Sequence, residues 1–150
     1  MRIEEAIKQL KPFVSEAQKA GVNLMFTHNW YESQLSEFFK TYGLTTKQYN
    51  ILRILKGANK SVSTSFIRER LLDKMSDVSR IVDRMAKKSL VKKETCETDK
   101  RLVDVALTEK GISILKLIGK EISKFDALFD NLTENEIIQL NNLLDKFRGE

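Results

Sequence analysis

Between Met85 and Thr108 the hydrophobic period of this 150-residue chain changes from 3.6 residues to 2 and back again. Before the change, Val78, Ile81, Val82 and Met85 form an i, i+3, i+4, i+7 stripe, the mark of a helix with one apolar face. The other face carries Asp77, Ser79, Arg80, Asp83, Arg84 and Lys87. Leu90–Glu97 and Leu102–Leu107 then read as two strands, the second alternating Val103, Val105 and Leu107 against Leu102, Asp104 and Ala106. Thr98-Asp99-Lys100-Arg101 between them has the length and polarity of a hairpin loop. Thr108 is placed to cap the helix that follows. One Pro and six Gly are too few for a turn-dense β-sandwich, so the expected fold is mainly α with a small β-hairpin.

The flanks read as helices. Ile3 to Tyr42 carries Leu24, Tyr31, Leu35, Phe38 and Tyr42 near helical spacing, with Pro12 expected in a first turn or at a kink. Gly43-Leu44 ends that stretch, and Thr45-Thr46-Lys47-Gln48 is a capping box opening a helix with Tyr49, Leu52 and Leu55 inward and Gly57 as its stop. Lys60-Ser61-Val62 suggests a short strand, and Ser63 caps a helix with Ile67 and Leu71 facing the core and Phe66 a further candidate for it. Either Asp73 or Ser76 is expected to cap the next helix. Beyond Thr108, Leu115, Ile118, Ile122, Phe125 and Phe129 step 3, 4, 3, 4 along one expected helix. Thr133-x-x-Glu136 opens the last, with Ile137, Leu140, Leu144 and Phe147 stepping 3, 4, 3.

Composition removes several function classes. A lone Cys96 and a lone His28 leave neither a disulfide framework nor a metal-ligand cluster, so no metal and no cofactor are expected. No apolar run approaches a membrane span and MRIEEAIKQL lacks a signal-peptide core, which places the expected protein in the cytoplasm. There is no Gly-rich phosphate loop, no G-x-S-x-G and no paired-carboxylate signature, which argues against an enzyme. Charge is uneven: residues 51–110 hold 15 Lys and Arg against 9 Asp and Glu, a net of +6, while the remainder nets −1. A basic centre between near-neutral ends is an electrostatic footprint for a polyanion.

Two short helices, a third with a basic polar face and a basic-tipped hairpin make a winged helix-turn-helix. A helix fits the major groove of duplex DNA, and a narrow hairpin tip reaches the neighbouring minor groove. Arg80 and Arg84, four apart, project from one face, and Ser76 and Ser79 are candidate donors to phosphates or base edges. With Lys87 and the loop residues Lys100 and Arg101 they form the expected double-stranded DNA contact set. The rival is a winged-helix module used for protein contacts without a DNA target.

The stretch Leu71 to Gly111 closely resembles the multiple-antibiotic-resistance regulator (MarR) family. The matching features are Val82-Asp83-Arg84-Met85 at the helix end, Asp99-Lys100-Arg101 in the wing and Leu107-Thr108-Glu109-Lys110-Gly111 at the exit. Gly43-Leu44-Thr45 with Gln48 and Leu52 extends the likeness upstream, so that it covers roughly residues 22–148. Ser89 departs from it, standing where the family commonly has Gly. The resemblance implies a transcription regulator, a repressor in expectation, with Arg80 in the major groove and Arg101 in the minor groove. It implies a salt bridge between Asp99 and Arg84. It also implies that residues 43–111 bind DNA while residues 1–42 and 112–150 supply dimerisation helices.

A homodimer is expected on a pseudo-palindromic operator, because one helix and one wing cover a half-site. The candidate seam is Leu115, Ile118, Ile122, Phe125, Phe129, Ile137, Leu140, Leu144 and Phe147, whose spacing fits intramolecular core as well as an intersubunit bundle. Family members bind small aromatic ligands near the helix carrying His28, Trp30 and Tyr31, which makes these three a candidate pocket, with core or interface as the plainer role. Redox-sensing members carry their cysteine near the N-terminal helix, where this chain has none, so Cys96 is expected simply to pack.

Overall fold

The computed structural model describes residues 1–95 and 103–149, and these form a helical molecule around one small sheet. In chain order the elements are α1 (Ile3–Ala6), α2 (Glu16–Lys40), α3 (Thr46–Ala58), β1 (Val62–Ser63), α4 (Thr64–Arg70) and α5 (Val78–Lys87). They continue with β2 (Val91–Thr95), β3 (Val103–Leu107), α6 (Glu109–Gly119), a 3₁₀ helix (Ile122–Phe129) and α7 (Glu134–Arg148). The capping residues read from the sequence at Thr45, Ser63, Thr108 and Thr133 each accept the backbone N–H three residues on. Those bonds satisfy donors that a helix start otherwise leaves open.

The hairpin is two-thirds of a sheet. The strand order is β1-β3-β2, antiparallel throughout, with Val105 of β3 opposite both Val62 and Lys93. Beneath it lies the core, in which Ile51, Leu52, Ile67, Val78, Met85 and Val105 are wholly buried. The stripe predicted on α5 faces this core through Val78, Val82 and Met85, while Ile81 is half-buried. An aromatic group closes the end nearest α2. Phe39 stacks on Tyr49 at 4.1 Å, and Phe125 meets Phe38 edge-on at 4.7 Å.

Four expectations need correction. The stretch Ile3–Tyr42 is two helices separated by residues 7–15, with Pro12 in the connection. Helical backbone is disfavoured before a proline, and a fresh start at Ser15 captures Gln18 N–H. Helix α3 runs through Gly57 and stops at Asn59, whose φ of +53° is one that asparagine tolerates better than most. The cap of α5 is Asp77, not Asp73 or Ser76. The long helix after Thr108 is broken beyond Gly119, and Ile122–Phe129 winds as 3₁₀, because Phe125 is drawn between the rings of α2.

The seam changes meaning with that break. Ile118, expected between subunits, is completely buried within its own chain, and Leu115, Ile122 and Phe125 pack against the same core. A 3/4 spacing records an apolar face without saying whose surface covers it. Phe129 turns its edge to Tyr31 at 6.1 Å. On α7, Ile137 and Leu144 are half-buried, whereas Leu140 and Phe147 are exposed.

Candidate nucleic-acid interface

Helix α5 presents Ser79, Arg80, Asp83, Arg84 and Lys87 to solvent, opposite its buried stripe. A reading helix must be held still to be selective, and both ends of α5 are fixed by bonds to other elements. At the N-terminal end Asp77 Oδ1 accepts from Arg80 N–H at 3.1 Å. Just before it, Asp73 organises the turn: Oδ1 accepts from Met75 N–H at 3.0 Å, and Oδ2 accepts from Ser76 Oγ at 2.8 Å and Lys47 Nζ at 2.7 Å. The Lys47 ammonium, then the Ser76 hydroxyl and the Met75 amide, hold the Asp73 carboxyl down at about 2. Lys47 belongs to the first turn of α3, so this carboxylate ties the two helices of the motif together.

The C-terminal end is fastened to main chain. Lys88 Nζ donates to Gly43 O at 2.7 Å and to the buried Gln48 Oε1 at 3.3 Å. Ser89 then takes φ of +58°, the left-handed conformation that explains why glycine is usual there. Thr108 Oγ donates to Ser89 O at 2.6 Å, with Leu90 O at 3.0 Å, and Lys110 Nζ donates to Lys88 O at 2.8 Å. Gly111 N–H returns to Thr108 Oγ at 3.1 Å, and a Cβ on Gly111 would lie 2.3 Å from Leu90 O. The Leu-Thr-x-x-Gly signature is therefore the clasp that seats α6 against the turn between α5 and β2.

The wing is joined to α5 by Lys93 of β2, whose Nζ lies 2.7 Å from Asp83 Oδ1 and lowers the Asp83 pKa. The sequence offers no sign of that pair: there Asp83 is part of the polar face and of the Val82-Asp83-Arg84-Met85 match, with no partner assigned. Lys92 and, after it, the Ser61 hydroxyl likewise lower the pKa of Glu94. Ser76, expected at the DNA surface, is 8% exposed with its hydroxyl donated to Asp73, so it serves the turn. The expected contacts Lys100 and Arg101, the expected bridge from Asp99 to Arg84, and Cys96 lie outside the described residues.

Beside α5 there is a concavity of about 430 Å³ between α2, the start of α3 and α5, lined in part by Glu32, Ser36, Lys47, Asp77, Arg80 and Arg84. His28, Trp30 and Tyr31 are not among its walls. His28 and Trp30 are exposed on α2, and Tyr31 is occupied with Phe129. Among the described residues no group of three His, Cys, Asp or Glu is placed to hold a metal ion, and no helix is long and apolar enough to cross a membrane.

A helix braced at both ends with a basic outer face, followed by a two-stranded wing on the same sheet, defines a winged helix-turn-helix transcription regulator that binds DNA. Comparison with known proteins gives the family. The MarR family model matches residues 42–102. The HTH-type transcriptional regulator MgrA of Staphylococcus aureus is 32% identical over 111 residues, 74% of each chain. The chain belongs to the MarR family. The HTH-type transcriptional repressor IacR of Pseudomonas putida is 28% identical over 120 residues, covering 79% of this chain and 71% of that one. The fold matches a mutant form of Escherichia coli MarR complexed with operator DNA, with a TM-score of 0.81 at 23% identity over 91% of this chain and 99% of that one. It also matches the organohalide-sensing regulator RdhR in its 2,4-dichlorophenol-bound form, with a TM-score of 0.83 at 22% identity over 94% and 86%.

Proposed function

We propose that the chain is a cytoplasmic repressor that binds a pseudo-palindromic operator as a homodimer, with α5 in the major groove and Arg101 of the wing directed to the minor groove. The observation that carries the dimer is the apolar surface left on the terminal helices. No residue of α7 is buried, and Ile138, Leu140, Leu143 and Phe147 are exposed along it, as are Leu24, Met25, Phe26 and Trp30 on α2. So many large apolar side chains on two helices are expected at a contact between subunits. The dimer surface in this reading comes from the outer faces of α2 and α7, while Leu115, Ile118, Ile122 and Phe125 hold the chain's own core.

Arg80, Arg84, Lys87 and Ser79 supply the helix contacts, and Lys100 and Arg101 those of the wing. Release by a small aromatic acid is supported by the concavity beside α5, where Arg84 offers a guanidinium to a carboxylate or phenolate, next to Arg80, 3.6 Å from Asp77, and Lys47, paired with Asp73. A ligand there would compete with DNA for the same guanidinium groups.

Selection of duplexes from a random library, followed by titration in increasing salt, tests the core of the reading. A dimer neutralising about 6–10 phosphates gives a slope of log K on log salt near −5 to −9, and a slope near zero refutes it. Arg80→Ala is expected to relax preference at one base position, and Arg101→Ala to weaken many sequences alike.

A further inference from the structure

The turn that leads into α5 holds an apolar side chain in a place where folding gains nothing from it. Met75 is 92% exposed, two residues before the Asp77 cap and five before Arg80. Its backbone is fixed nevertheless. Met75 N–H is bonded to Asp73 Oδ1, Ser76 N–H donates to Asp73 O at 3.3 Å, and Asp73 is anchored to Lys47. Lys74 on its other side is bonded to Glu69 O. A rigid main chain thus carries a long, unbranched and unpartnered thioether at the N-terminal end of the reading helix. That end is the part of such a helix that contacts base edges.

Among the groups a base pair presents in the major groove, one is apolar: the 5-methyl of thymine. A polar surface that reads donors and acceptors gains nothing from methionine, whereas a methyl group is read by apolar contact, to which a flexible thioether adapts well. We infer that Met75 is a specificity residue that reads the 5-methyl group of one thymine in each half-site. The inference rests on α5 being the major-groove helix of a DNA-bound dimer and adds the base feature recognised at its leading edge. Leu72 is also exposed, but it precedes Asp73 in the chain, three residues further from α5 and next to the core residue Leu71, and has no part in the inferred contact.

The test uses duplexes selected from a random library by the wild-type chain. Each thymine of the selected site is replaced in turn by deoxyuridine, which removes the 5-methyl group and leaves the pairing edge intact. At one symmetric pair of positions the wild type is expected to lose about fourfold in affinity per half-site, the worth of one buried methyl group. Met75→Ala is expected to lose about as much on the thymine duplex and to bind the uracil duplex equally well, while Leu72→Ala binds both as the wild type does. Met75→Ala with undiminished discrimination at that position, losses that simply multiply, or a selected site with no methyl-sensitive thymine would each overturn the assignment. A library from which nothing is enriched would overturn the DNA-binding mode beneath it, and is told apart by the absence of any preferred duplex.

Discussion

Replacing Gly111 by alanine probes the clasp between α6 and the turn after α5. A Cβ at this position falls 2.3 Å from Leu90 O and 3.3 Å from a methyl carbon of Leu107. Carbon and oxygen need more than 3 Å, and the obstructing atom is main chain of a residue that is itself buried, so a side-chain rotation does not relieve the clash. The strand or the helix must move by most of an ångström. Overpacking of this kind costs roughly 1–3 kcal/mol. The displacement also strains the bonds from Thr108 N–H and Oγ to Leu90 O, worth about 0.5–1.5 kcal/mol each. Alanine in a helix returns about 1 kcal/mol. The expected net loss is about 2–3 kcal/mol, or about 4–12 °C in melting temperature for a chain of this length. The informative comparison is Gly119→Ala, where nothing lies within 4 Å and stability should hold or rise slightly. Urea melts of both variants, with DNA affinity measured at a temperature where each is folded, test the reasoning. Equal stability of Gly111→Ala and wild type would show that α6 does not approach Leu90 as described.

Ser89→Gly removes a side chain from a left-handed backbone position and is expected to stabilise by about 0.5–1 kcal/mol, read as a higher urea midpoint with an unchanged slope. Asp73 titrates at about 2 against an ordinary 3.8, so its ionised form favours the fold. That contribution is complete above about pH 4 and lost as pH falls through about 2. Lys47→Ala should bring the Asp73 carboxyl back toward its ordinary value, as followed by carbon-detected NMR titration, and an unmoved titration would refute the Lys47 pair. Phe147→Asp places a carboxylate on the proposed dimer face, where it is exposed in the single chain. Sedimentation should show monomers with an undisturbed fold and weakened operator binding, whereas an unchanged dimer would place the interface elsewhere.

The elements legible in the sequence were those written in local chemistry. Thr45 with Gln48 and Thr133 with Glu136 form capping boxes because donor and acceptor are three residues apart. The stripe of α5 was legible because its period alone names its buried face. Less was visible wherever a bond spans the chain. Lys88 reaches Gly43, Lys93 reaches Asp83, and Lys47 reaches Asp73, and each of these lysines looks in sequence like ordinary surface. Asp73 was seen only as a candidate cap because capping and turn-fixing draw on the same short acceptor. The break after Gly119 was missed because it is set by Phe125 meeting the rings of Phe38 and Phe39, a tertiary event that overrides an unbroken 3/4 pattern.

The bracing of α5 at its C-terminal end has a consequence for how such a protein changes over generations. Apart from Gln48 Oε1, its supports end on main-chain oxygens, those of Gly43, Lys88, Ser89 and Leu90, which no substitution deletes. The outward side chains Ser79, Arg80 and Lys87 are not what those supports grip. Mutation can therefore rewrite the outer face of the helix, and with it the preferred operator, while the frame that aims it stays in place. A duplicated copy of this gene begins with a scaffold already able to explore new DNA sites.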